Sequence, residues 1–302
     1  MTDSTPERSG GRLRGCLLIG CAVVLVLSFV PPMLLWAFSR GLEDDSGPPR
    51  DVARQHVLPA SGAGRIELDV RMAELIVEPA PAGSPLRLEA QWDPNRMRLH
   101  EALEPGPQGW TYRLRLSGRG MRTWLGNHGR HGGAELRLLV PADRPFSIAG
   151  EVGMGSSSLE LGGLALQSLD LELGAGEHTL SFATPTSAPV SRVALDSSMG
   201  ELEVSLAGNA SPRELSIEHG MGELRLDLGG RWRNDGRVSL SLGMGSCRVD
   251  LPEAGVAGAM VEKGRVRMGS RQIDDLAESE LVPGLPVIRI RAEGGMGDLV
   301  IR

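Results

Sequence analysis

Residues 239–252 read SLSLGMGSCRVDLP, two short alternations of apolar and polar residues interrupted by Gly-Met-Gly. In a strand, side chains two apart share a face. Val238, Leu240, Leu242 and Met244 therefore lie on one face, whereas Cys247, Val249 and Leu251 are also two apart but out of phase with them. Both sets are apolar, so a strand that keeps them in one core must take up one extra residue between them, as a β-bulge or corner does. The second glycine suits that point because it has no Cβ to oppose unusual backbone angles.

Near-copies recur along the chain: EVGMGSSSLEL at 151–161, LELGAGEHTL at 171–180, DSSMGELEVSL at 196–206, EHGMGELRLDL at 218–228 and AEGGMGDLVIR at 292–302. The second glycine falls at Gly155, Gly176, Gly200, Gly222, Gly245 and Gly297, and the degenerate copy RVRMGSRQI places Gly269 in the last gap. This spacing, 21–24 residues for most steps, is that of stacked structural repeats. The expected fold is all-β, a β-solenoid of stacked short strands. Met154, Met199, Met221, Met244 and Met296 are expected as the last inward residues before each corner, with Ala175 in their place once. A competing reading makes Met199, Met221 and Met244 a column of thioether ligands for Cu(I).

The chain has 302 residues, 41 Gly, 20 Pro and only 3% aromatic residues, so its core is aliphatic. A net charge of −6 with interspersed signs offers no basic stripe for nucleic acid. Residues 15–38 carry no charge and are long enough to cross a bilayer core of about 30 Å. Residues 1–14 are expected as a cytoplasmic tail, 15–38 as a transmembrane helix and 39–55 as a linker. The weak excess of basic residues before the span places the body outside the cytoplasm. A cleaved signal peptide fits less well because the apolar run is too long. LIGC at 18–21 resembles a lipoprotein box, which leaves cleavage or lipidation at Cys21 open. Cys16 and Cys21 lie in the span, so Cys247 has no disulfide partner in the body.

Residues 56–150 form an expected N-terminal β region, with alternations RIELDV, ELIVEP, PLRLEAQW, TYRLRLSG and AELRLLVP and an insertion loop at 118–133. Residues 151–302 form the repeat region. Whether the two are continuous is not legible from the sequence. Outward positions carry charge, among them Glu201, Arg225, Asp250, Arg265, Arg267, Arg289 and Arg291, which suits pairing between neighbouring coils.

A membrane span, then GRIELDVRMAELIVEP, then tandem Leu-x-Leu-Gly-x-Gly coils: this arrangement resembles the bacterial putative-adhesin domains of unknown function and their toast-rack and LiaF-like relatives in envelope-stress proteins. The likeness covers about residues 56 to 302. It implies a β-solenoid on the outside of a cell membrane, in proteins linked to surface attachment or envelope sensing, and brings no catalytic residues with it.

Chemistry is sparse. GGMGDL at 294–299 approaches a calcium-binding β-roll, but Asp298 follows Gly297 directly and other copies hold Glu201, Glu223, Ser156 or Ser246 there. His128 and His131 have ligand-like spacing with only Glu135 nearby. Asp196, Asp227 and Asp250 are the carboxylates that a glycan-active enzyme would use. The expected function is a non-catalytic, adhesin-like binding or structural module of the cell envelope, anchored in the membrane, with an envelope protein or glycan as partner and no cofactor or metal. A regulator or sensor of envelope stress and a glycan-active enzyme are the alternatives.

Overall fold

The computed structural model describes residues 49–59, 62–106, 109–119, 133–273 and 282–302. The expected tail, membrane span and linker up to residue 48 lie outside the described residues, as do positions 120–132 of the insertion loop. No described helix is long and apolar enough to cross a membrane.

The described chain is almost entirely strand, and all sixteen strands join one open sheet. They are β1 (Arg50–His56), β2 (Ala63–Val70), β3 (Ala73–Ala80), β4 (Leu86–Trp92), β5 (Met97–Gly106), β6 (Gly109–Gly118), β7 (Ala134–Pro141), β8 (Phe146–Val152), β9 (Gly155–Glu160), β10 (Leu166–Ser181), β11 (Arg192–Ser205), β12 (Glu214–Asp227), β13 (Gly236–Asp250), β14 (Gly258–Met268), β15 (Arg271–Ile273) and β16 (Val287–Ile301). Strands β10, β12, β13 and β16 each run unbroken through a Gly-x-Gly motif, and β11 through its Ser-Met-Gly counterpart at 198–200. Elsewhere the same path is split in two: β8 and β9 both pair with β10 on either side of its motif, and β2 and β3 pair with β8 and β9 in turn. The N-terminal β region is thus continuous with the repeats in one sheet.

Leu169, Leu171, Val193, Leu195, Leu215 and Ile217 before the motif, and Leu180, Leu202, Val204, Leu224 and Leu226 after it, all enter one core. Because these two sets differ in strand phase, the sheet must crease at the motif for both wings to face the same interior. Return loops close the core with Phe182, Val190, Leu228 and Trp232 and with a short buried helix, α1 (Ala207–Ala210).

The register leaves no slack at the crease. Gly155, Gly176, Gly200, Gly222, Gly245 and Gly297 lie in line on successive strands. A Cβ on Gly200, Gly222 or Gly245 would sit 1.9, 1.9 or 1.8 Å from the carbonyl oxygen of the glycine on the preceding strand. Their φ angles, +120°, +131° and +135°, are also those that L side chains rarely adopt.

Three expectations are corrected. The methionines do not point inward: Met154, Met199, Met221, Met244 and Met296 are 41–50% exposed, and Met268 of the degenerate copy is 59% exposed. The last inward positions before the crease are Leu173, Ser197, His219 and Leu242, and the next are His178, Leu202, Leu224 and Cys247. The phase does change, but over five positions rather than three. The methionine occupies the outside of the bend, where the backbone arc is longest.

The stack also departs from chain order, because β16 sits between β13 and β14. Ile288, Ile290, Leu299 and Ile301 of β16 are fully buried, whereas β14 offers Lys263, Arg265 and Arg267. The more apolar strand takes the interior place and the charged one blunts the edge. At the opposite end the ladder is antiparallel, β1 on β4, β4 on β7 and β5 on β6. Residues 50–55, expected as linker, belong to the edge strand β1, whose polar sequence RDVARQH packs only Val52 against the core.

Candidate binding surfaces

The outward faces of both wings are charge ladders. Arg225 pairs with Glu201 on the neighbouring strand and with Glu223 at 3.0 Å, Arg192 with Glu214 at 3.6 Å, and Arg302 with Asp250 at 2.8 Å. Such exposed pairs contribute about 0–1 kcal/mol each.

Asp196, Asp227 and Asp250 do not converge. Asp227 and Asp250 are register neighbours after the crease, while Asp196 lies before it opposite Glu218. Asp227 accepts hydrogen bonds from the Leu206 and Gly229 amides, closing the turn that follows it. Asp298 accepts from the amide and hydroxyl of Ser270, which hold its carboxyl below the usual range. Among the described residues no three His, Cys, Asp or Glu side chains gather as metal ligands. His128 and His131 lie outside the described residues. Cys247 is buried in register with Leu224 and Leu299, and burial pushes its thiol up to about 12.

Two polar clusters were not legible as sites. At the β1 end, the nearly buried Glu101 carboxylate accepts from Arg54 Nη1 at 2.7 Å and Tyr112 Oη at 2.8 Å, with His56 Nε2 at 3.3 Å. It clamps β1 onto the sheet. Burial first, then the Glu101 charge, pushes the Tyr112 phenol well above its usual range. A raised phenol contributes stability that is present below its ordinary value near 10 and lost as pH rises beyond it. Tyr112 is the sole tyrosine. Absorbance at 295 nm is therefore expected to show no phenolate step until the fold is lost, coincident with the far-ultraviolet circular dichroism change; a separate earlier step would contradict this geometry.

The second cluster lies inside the crease. Ser157 Oγ is 2.9 Å from His178 Nδ1, and Ser197 and His219 lie close by on β11 and β12. All four are at most 3% exposed. The Ser157–His178 distance is that of a nucleophile and base, but the pair faces a cavity of about 10 Å³, room for about one water. No carboxylate lines that cavity. The signal in the sequence was positional, since His219 and Ser197 fall where sister repeats hold Leu173 and Leu242.

An open site exists at the other end of the stack. β14 shifts register between Val261 and Lys263, leaving a groove of about 600 Å³ against β13 and β16. Half-buried Leu242 and Val266 line it together with Lys263, Arg265, Arg267, Arg271 and Glu293. Lys263 pairs with Glu293, whereas Arg265, Arg267 and Arg271 have no ion pair within 4 Å among the described residues. The volume falls within the range of small-ligand sites.

No family model and no curated protein matches the chain. Solved structures do resemble it: a "putative cell adhesion protein" from Clostridium sporogenes, at 16% identity and a TM-score of 0.42, covering 84% of this chain and 98% of that one. A "putative adhesin" from Bacteroides fragilis gives 10% identity and a TM-score of 0.40 over 84% of this chain and 97% of that one. A "putative adhesin" from Parabacteroides merdae gives 12% and 0.29 over 84% and 97%.

Proposed function

We propose that this chain is a non-catalytic binding module of the bacterial cell envelope, held at the membrane by residues 15–38, which takes an acidic envelope glycan into the groove between β14 and β16. The observation that carries this reading is the surplus of cations there: Arg265, Arg267 and Arg271 stand without carboxylate partners in a chain whose net charge is −6. Arg113, Arg115, Arg137 and Arg225 are paired with carboxylates, and the exposed Arg98, Arg237 and Arg248, which have no ion pair among the described residues, do not line the groove. A guanidinium offers a planar fork of donors that matches carboxylate or phosphate groups.

Polygalacturonate is expected to bind with an affinity that falls as salt is raised, and neutral dextran of equal length to bind much more weakly. The Arg265→Glu, Arg267→Glu double variant should lose at least about tenfold in affinity for polygalacturonate, since each charge-assisted hydrogen bond contributes roughly 1.5–3 kcal/mol. Equal binding of dextran, or no change in the double variant, would overturn the assignment.

A further inference from the structure

The crease carries a second, independent feature on its outer side. Met199, Met221, Met244, Met296 and Met268 follow one another on five adjacent strands, β11, β12, β13, β16 and β14, in strict register. All five are 43–59% exposed. Six of the twelve methionines in the chain stand at this one structural position.

Core packing does not explain them, because they are outside the core. Backbone geometry does not explain them either, since the glycine that follows supplies the unusual φ and the close approach. General apolarity would admit Leu, Ile or Val, yet each of these rungs presents a thioether. On β11, β12, β13 and β16 the residue before the methionine is Gly or Ser and the one after is Gly, so four of the five thioethers have no long neighbour along the strand; Met268 follows Arg267. Two residues further on stand Glu201, Glu223, Ser246 and Asp298; Glu201 and Glu223 are paired with Arg225, and Asp298 accepts from Ser270.

Adjacent strands lie about 4.8 Å apart. That is about twice a metal–sulfur bond of roughly 2.3 Å. Two thioethers on neighbouring rungs can therefore reach one ion between them in a near-linear arrangement, which soft monovalent cations accept. Thioether sulfur selects Cu(I) over the harder divalent metals. We infer that the methionine row is a binding site for soft monovalent cations, Cu(I) and its redox-inert analogue Ag(I), with each ion held between methionines of neighbouring strands. Binding is by coordination alone, with no change of oxidation state.

The test uses the full chain in detergent, labelled with [methyl-¹³C]methionine and titrated with Ag(I). The methyl signals of Met199, Met221, Met244 and Met296 are expected to shift and saturate together, while that of buried Met97 stays in place. The Met199→Leu, Met221→Leu, Met244→Leu, Met296→Leu variant keeps exposed residues of similar size, so its circular dichroism should match the parent. It should bind about two Cu(I) equivalents fewer in competition with bicinchoninate. An unchanged Cu(I) stoichiometry in that variant, or methyl shifts that leave the four ladder signals unmoved, would overturn the assignment. Glycan binding in the groove is measured separately and can fail without affecting this result.

Discussion

Gly222→Ala is expected to destabilise the fold severely. The added Cβ would lie 1.9 Å from the carbonyl oxygen of Gly200, and ordinary van der Waals contact begins near 3.4 Å. The obstacle is backbone on the neighbouring strand, so no side-chain rotation relieves it and the rungs must part. The φ of +131° adds its own penalty, about 1–3 kcal/mol for a residue with a Cβ. Together these should exceed about 4 kcal/mol, against a total stability of about 5–15 kcal/mol for a domain of ordinary margin. A stacked array makes the damage spread, because each rung is held only by its neighbours. Gly83→Ala is the control: its φ is +77° but nothing lies within 4 Å of the added carbon. It should cost only about 1–2 kcal/mol. Thermal unfolding by circular dichroism distinguishes them, and a Gly222→Ala protein melting within a few degrees of the parent would refute the close-stacking account.

The second large effect concerns the histidines inside the crease. Both ring nitrogens of His219 are buried without hydrogen-bond partners. Burial lowers the affinity of both imidazoles for protons; for His178 a backbone hydrogen bond with Gly174 opposes this in part and the nearby His219 adds to it. An imidazole whose folded value is depressed contributes stability that is fully present above its ordinary value near 6.5 and lost as pH falls below it, because the unfolded chain then binds more protons. Stability measured in urea should therefore drop between pH 7 and pH 5. His219→Leu replaces the ring with the residue that Leu173 and Leu242 place at the equivalent position. It should raise stability at pH 7 by roughly 1–3 kcal/mol, the cost of an unsatisfied buried polar group, and flatten the acid limb. A destabilised variant with an unchanged acid limb would show that His219 is satisfied in solution.

The alternations at 65–70, 74–79, 85–92, 111–118 and 134–141 were legible as strands, and each matches an observed one, with Pro85 just before the start of β4. β5, Met97–Gly106, was not, because MRLHEALEPG buries Met97 and then only partly covers Leu99 and Leu103. The Glu101 clamp was hidden for a related reason: Arg54, His56, Glu101 and Tyr112 come from three strands whose adjacency no local pattern announces. The groove depends on the irregular register of β14, which RVRMGSRQI suggested only by its poor match to the repeat.

What the amino-acid order determined by itself is the repeat, the change of strand phase and the glycine at each crease, because side-chain alternation and the freedom of a residue without Cβ are properties of a few consecutive positions. Only the tertiary structure decided that the methionines face solvent and that β16 displaces β14 from the interior of the stack. Which side of a bend is convex, and which of two strands takes the buried place, are settled by competition between whole rungs for one aliphatic core. No window of neighbouring residues contains that comparison.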